Sequence, residues 1–242
     1  MVASTAGFTR LGSNGGYEMS AQRPATTTPG DLVRIYRRMR EYGLNDPHSG
    51  NASLRLGKQV WITPHGAWAE ELTEAELVLL DLDSEIPAGA SWDAPLHCAT
   101  YRKQETHGAV LHGHGLYSVA MSLLGESSFE PLDFEGRLSF PRVPIVDSSR
   151  ETPFEDAARA VSESLREYPL AIVRGHGVYS AAASLEEAWH HLAALEWSAE
   201  LAWLYRGDAP RADRRTAGPA RFRTTSRLNR KSVKTPRRRP RS

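Results

Sequence analysis

One cysteine, Cys98, among 242 residues leaves no partner for an intramolecular disulfide and no thiolate set for a zinc knuckle. Any metal must therefore be held by His, Asp or Glu. No stretch approaches about 18 consecutive apolar residues, which excludes a membrane-spanning helix. The opening segment MVASTAGFTRLGSNGGYEMS has neither a basic n-region nor an apolar core, which argues against secretion. Cytoplasm is the expected compartment. Net charge is also nearly lacking, at +1 from 30 basic and 29 acidic residues. That balance is not local: residues 207–242 hold 13 Lys and Arg against Asp208 and Asp213, a net of +11, which leaves −10 for residues 1–206. An acidic body carries a basic tail.

With 40% apolar and 24% charged residues the composition is that of one soluble globular domain. Residues 1–28 are rich in Gly, Ser, Thr and Ala and read as a flexible leader. Residues 29–206 read as the folded domain and 207–242 as a disordered tail, whose only expected partner is nonspecific contact with nucleic acid or an anionic surface. The spacing of Leu32, Val33, Ile35, Tyr36 and Met39 after Pro29 predicts a helix ending near Gly43. A turn-rich loop then leads to a hairpin through Ala52, Leu54 and Leu56 and Gln59 to Ile62. The apolar run Leu77 to Leu80 is too short to assign between helix and strand. Helices are expected over Leu96–Tyr101, Pro153–Tyr168 and Leu185–Tyr205, and buried strands over Ala109–Leu111 and Leu170–Val173. In the last helix Trp189, Leu192, Leu195 and Leu201 are expected on the buried face. The alternation makes the chain α/β.

Two decapeptides 62 residues apart are nearly the same: AVLHGHGLYS from Ala109 and AIVRGHGVYS from Ala171. Each is an apolar strand run stopped by Gly-His-Gly, so each presents a histidine at a strand end. His112 and His114, two apart in a strand, point to one face and can converge on one ion; His176, aligned with His114, supplies a third imidazole. Three imidazoles with an open position are the donor set of a catalytic divalent site, Zn2+ or Mn2+. The plainer alternative is ordinary histidines at strand ends. A base is needed beside such an ion, and Asp93 is the candidate, although Asp before the Pro95-led helix is equally suited to N-cap it. Arg174 replaces His112 in the second copy, and strand alternation puts it on the face of His176, where it would meet a substrate anion or form a structural ion pair. Tyr117 and Tyr179 are read as core packing.

The ordered motifs Ser49-Gly50-Asn51, Ile62-Thr63-Pro64-His65-Gly66, Glu71-Leu72-Thr73, Ser91-Trp92-Asp93 with Pro95-Leu96-His97 and Tyr101, His112-Gly113-His114 and His176-Gly177 resemble the class II aldolase/adducin family over Pro29 to Tyr205. The resemblance implies a three-layer α/β/α fold around a mostly antiparallel sheet, and a homotetramer with active sites at subunit interfaces. It implies His112, His114 and His176 as ligands of a divalent metal, normally zinc, and Asp93 where the aldolases carry a Glu and the ribulose-phosphate epimerase an Asp. It further implies that Ser49, Gly50, Asn51, His65, Gly66, Ser91 and Trp92 bind substrate, with Arg174 added to them from the duplication. Two positions depart from the pattern that holds a sugar phosphate: His65 and Trp92 stand where small hydroxyl residues are usual. The function implied is a metal-dependent aldolase-type lyase of carbohydrate metabolism that cleaves a C–C bond in a small hydroxy-carbonyl substrate through a metal-stabilised enediolate. Decarboxylase, sugar-phosphate 4-epimerase and adducin-like scaffold are the alternatives.

Overall fold

A computed structural model describes residues 27–149 and 151–208; the expected leader and all but the first two residues of the basic tail lie outside them. Helix α1 spans Pro29–Glu41 and starts from a reciprocal cap between Thr28 and Asp31. Strands β1 (Asn51–Leu56) and β2 (Gln59–Ile62) form the expected hairpin. After a single 3-10 turn at Glu74–Glu76, Val78–Asp81 is β3, so the ambiguous apolar run resolves as an edge strand. Then follow α2 (Ala94–Lys103), β4 (Ala109–Gly113), α3 (Leu116–Ser122), β5 (Ser128–Phe129), α4 (Phe134–Ser139) and β6 (Val143–Val146). The chain continues through α5 (Pro153–Ser164), β7 (Leu170–Val173), β8 (Gly177–Ala182) and α6 (Leu185–Asp208).

The strands form one eight-stranded sheet in the order β3-β2-β1-β4-β8-β7-β6-β5, antiparallel except where β6 runs parallel to β7. Alternation along β4 sends Ala109 and Leu111 to one face and Val110 to the other, and each face has its own apolar cluster. On the first face α1, α3, α4 and α6 pack together; on the second α2 packs on α5. Helices on both faces of a mostly antiparallel sheet are the expected α/β/α arrangement. Leu192 and Leu195 of α6 are buried as expected and Trp189 partly so, but Leu201 is exposed beside Trp197, Leu204 and Tyr205. The last three turns of α6 thus show an apolar side to solvent.

The two decapeptides diverge in structure. The first is strand β4 followed, after Gly115, by helix α3. The second is a hairpin: Val173 pairs with Gly177 across the turn Arg174-Gly175-His176, and Gly175 takes φ +68°, a conformation in which a Cβ is strained.

Candidate metal centre

Register places the site. Across the centre of the sheet Asn51 of β1 is opposite His112 of β4, and His112 is opposite Tyr179 of β8. Residues directly opposite one another in a sheet share a face. Asn51, His112 and Tyr179 therefore form one row on the α2 side, where Asp93 stands at the start of α2.

His112, His114 and His176 come together there, with one ligand nitrogen from each lying within 4.8 Å of the others. The Nε2 atoms of His112 and His114 are 2.9 Å apart. Nδ1 of His112 donates to the carbonyl oxygen of Val178 at 3.0 Å, which leaves Nε2 with its lone pair toward the triad. Burial disfavours protonation and pushes the His112 imidazole well below its ordinary value; burial and the neighbouring His176 bring His114 down to about 4. Near neutral pH these two rings are neutral nitrogen donors. The approach is close because residue 177 is glycine: a Cβ there would lie 2.5 Å from His114 Cδ2 and 2.7 Å from His112 Cε1. Neutral imidazoles, a fixed tautomer and a cradle that a Cβ would fill match a divalent ion with nitrogen preference.

Asp93 does not cap α2. Its side chain makes no cap hydrogen bond, and its Oδ2 instead accepts from Asn51 Nδ2 at 2.8 Å and from the Tyr179 hydroxyl at 2.9 Å. The same oxygen is 3.7 Å from His112 Nε2. Burial opposes ionisation of this carboxyl, while the His112 ring when protonated and the Asn51 and Tyr179 donors favour it, so the group stays below the ordinary carboxylate value. An ionised carboxylate thus sits beside the imidazoles. Ser91 supports it by accepting the Asp93 backbone N–H on Oγ at 3.2 Å.

The segment through Pro64 bridges to Ala90, and the His65 N–H donates to the Gly89 carbonyl at 2.9 Å. This contact carries His65 onto Trp92, where the two rings stack with centroids 4.1 Å apart and 11° between planes; the edge of Phe154 adds a third aromatic group. All three side chains are exposed, and Trp92 is one residue from the buried Asp93. Gly66, next to His65, takes φ +69°. Ser49 accepts from the Asp46 N–H within its own loop, and Gly50 packs its Cα against the buried Asn45 carboxamide.

Arg174 is placed elsewhere. Its Nε pairs with Asp147 at 2.6 Å, and its other nitrogens donate to the carbonyl oxygens of Ser122 and Glu126. The alternation that put it on the His176 face fails because Arg174 is a turn residue, outside either strand. Tyr179, read from the sequence as packing only, touches both His112 and Asp93. Its position three residues beyond His176 carries no signal by itself; the sheet register reveals the contact.

The profile described as Class II Aldolase and Adducin N-terminal domain matches residues 30–203. The chain belongs to this family. An L-fuculose phosphate aldolase of Methanocaldococcus jannaschii is 26% identical over 176 residues, which is 72% of this chain and 94% of the relative. A methylthioribulose-1-phosphate dehydratase of Pectobacterium atrosepticum is 32% identical over 183 residues, 69% of this chain and 88% of the relative. The crystal structure of an L-fuculose-1-phosphate aldolase from Thermus thermophilus superposes with a TM-score of 0.70 at 30% identity, covering 75% of this chain and 97% of that one. Aldolases and dehydratases of this family are lyases, and the present chain is an enzyme of that class. No helix among the described residues is long and apolar enough to cross a membrane.

Proposed function

We propose that the chain is a divalent-metal-dependent aldolase-type lyase that cleaves a C–C bond in a small hydroxy-carbonyl compound, with sugar phosphates as the first substrate class to test. The observation that carries this reading is the Asp93 carboxylate 3.7 Å from one of three converging imidazoles. His112, His114 and His176 would hold the ion. When bound, the ion supplies Lewis-acid polarisation of a substrate oxygen. Asp93 then moves the proton: it takes the hydroxyl proton of the substrate, the electrons of the breaking C–C bond pass to the carbon beside the carbonyl, and the same group returns the proton to that carbon as the aldehyde departs. Asn51 orients the carboxylate, Ser91 supports it, and Ser49, Gly50, His65, Gly66 and Trp92 line the approach. Arg174 is left out of this set because its guanidinium is committed to Asp147 and two carbonyls.

A dehydration reading has a specific support, the 32% identity with a methylthioribulose-1-phosphate dehydratase. There the base takes a C–H proton beside the carbonyl and a hydroxyl leaves the next carbon. The two readings separate when metal-loaded protein is offered L-fuculose 1-phosphate and methylthioribulose 1-phosphate: aldehyde release marks the first and loss of water the second. Carbon dioxide release from hydroxy-acids and a stereochemical assay on ribulose phosphate cover the decarboxylase and epimerase alternatives. Asp93→Asn is expected to keep stoichiometric metal and lose about 100-fold or more in turnover. Purification without any stoichiometric divalent ion would remove the enzyme mechanism and favour an adducin-like scaffold. We further propose a cytoplasmic homotetramer with sites at subunit interfaces, supported by the exposed Trp197, Leu204 and Tyr205 on α6 and by the free, buried Cys98.

A further inference from the structure

We propose that Tyr179 is a positioning residue with two separable parts: its ring holds the His112 imidazole in the plane needed for ligation, and its hydroxyl holds the Asp93 carboxylate so that Oδ1 faces the substrate. The second part rests on the reading of Asp93 as the proton-transfer group; the first does not.

Tyr179 is fully buried in β8 directly opposite His112. The two rings lie parallel, 7° between planes and 3.9 Å between centroids, so the His112 ring cannot swing about its Cβ–Cγ bond without meeting the tyrosine. The preceding residue, Val178, fixes the His112 tautomer through its carbonyl, and the one before that, Gly177, leaves the space for both imidazoles. Three successive residues after His176 thus each support the triad.

The hydroxyl acts on a different group. A phenol with no exposed surface costs stability unless it is hydrogen-bonded, and the one acceptor that the Tyr179 hydroxyl has among the described residues is Asp93 Oδ2. Asn51 donates to the same oxygen, so two neutral donors saturate Oδ2 while Oδ1 has no protein partner among the described residues. Two donors on one oxygen set the rotation of the carboxylate without adding a positive charge that would weaken it as a base. Tyr117, the aligned tyrosine of the first decapeptide, lies on α3 and stands in neither relation, so the pairing comes from the position of β8 and not from the motif.

Tyr179→Phe keeps the ring and removes the hydroxyl; Tyr179→Leu removes both. Zinc affinity, measured by competition with a chromophoric chelator, should stay within about 3-fold of wild type in the Phe variant and fall about 10-fold or more in the Leu variant. A crystal structure of the Phe variant should show the Asp93 carboxylate turned by about 30° or more about χ2, a soft torsion once one donor is gone. With the substrate identified by the screen above, the Phe variant should lose about 10-fold or more in kcat while KM stays within about 3-fold. An unmoved carboxylate in the Phe variant overturns the hydroxyl part, and wild-type zinc affinity in a folded Leu variant overturns the ring part. Should the Leu variant not fold, weakened zinc binding by the isosteric Phe variant overturns the ring part instead. The Asp93→Asn variant separates the two levels: if it remains active, the reading of Asp93 as base fails, and the zinc affinities and the carboxylate rotation still decide what Tyr179 holds.

Discussion

The decapeptides at Ala109 and Ala171 share Ala, Gly-His-Gly, Tyr and Ser in the same places, yet one becomes a strand followed by a helix and the other a tight hairpin. The difference begins where His112 faces Arg174 in the alignment. In the first copy position four continues β4 and stays paired with Asn51 and Tyr179; in the second it leaves β7 and begins a turn. Chain that continues past the first copy is free to cap α3 with Glu196, whose carboxylate accepts the Tyr117 and Ser118 N–H groups at 2.7 and 3.0 Å. Chain past the second copy returns antiparallel and inserts β8 between β4 and β7. The repeated motif delivers histidines to one place by two different routes.

The last glycine of each motif gives the largest expected contrast. Gly177→Ala puts a methyl group against the rings of both His112 and His114 and should abolish stoichiometric metal binding, with zinc affinity down by about 100-fold or more. Gly115→Ala presses on the Glu196 carboxylate, the far end of a flexible side chain, and should cost about 1 kcal/mol of stability through the α3 cap while metal stays bound. Metal analysis and thermal unfolding of both variants check this; equal metal retention would mean that the close approach at Gly177 does not matter.

What could be read in advance divides along the same line. Helices α1, α5 and α6 were legible because apolar side chains recur at helical spacing over more than two turns, and the three histidines because two copies of a rare pattern coincide. Strand β8 was not legible: Gly177 to Ala182 offers small residues and a tyrosine where a buried strand usually shows a branched apolar run. Strand β6 is broken up by Pro144, and α3 and α4 are under three turns long. The role of Asp93 could not be chosen from its spacing, since capping and catalysis ask for the same residue at the same place. Only the register that lines up Asn51, His112 and Tyr179 decides where its carboxylate turns. For Arg174 alternation gives the wrong face, because it holds inside a strand and this residue is in a turn.

Acid sensitivity should follow the buried histidines of the first copy, as a smaller effect. The first copy carries His114, which burial and His176 hold down to about 4, against an unfolded value near 6.5. Below the unfolded value the unfolded chain takes up a proton that the folded chain refuses, so stability of metal-free protein is lost as pH falls from about 6.5 to 4, by up to about 3 kcal/mol for this group. His112 of the same copy, also pushed well below its ordinary value by burial, adds to this loss. His114→Gln should therefore flatten the acid limb of a stability against pH profile. An unchanged slope in His114→Gln would place the acid-labile group elsewhere.

Arg174 and Gly175 set the smallest effects. Arg174→Ala removes an ion pair whose acid partner is mostly exposed, worth little, together with two hydrogen bonds to carbonyls at the ends of neighbouring segments, and should cost about 1 to 2 kcal/mol. Its catalytic constants should stay near wild type, since the guanidinium is engaged away from the triad; a raised KM with unchanged stability would restore it to the substrate site. Gly175→Ala forces an alanine into φ +68° and should cost about 1 kcal/mol, as left-handed backbone does for any residue with a Cβ. Its counterpart Gly113 has no such dihedral, and a Cβ there would meet the Leu44 carbonyl oxygen at 3.1 Å, Leu192 Cδ2 at 3.3 Å and Asn45 Oδ1 at 3.5 Å, so Gly113→Ala tests crowding without strain. If asparagine at 175, which tolerates this region better than alanine, recovers part of the loss while asparagine at 113 recovers none, the difference between the two copies lies in the backbone of the turn and not in the side chains around it.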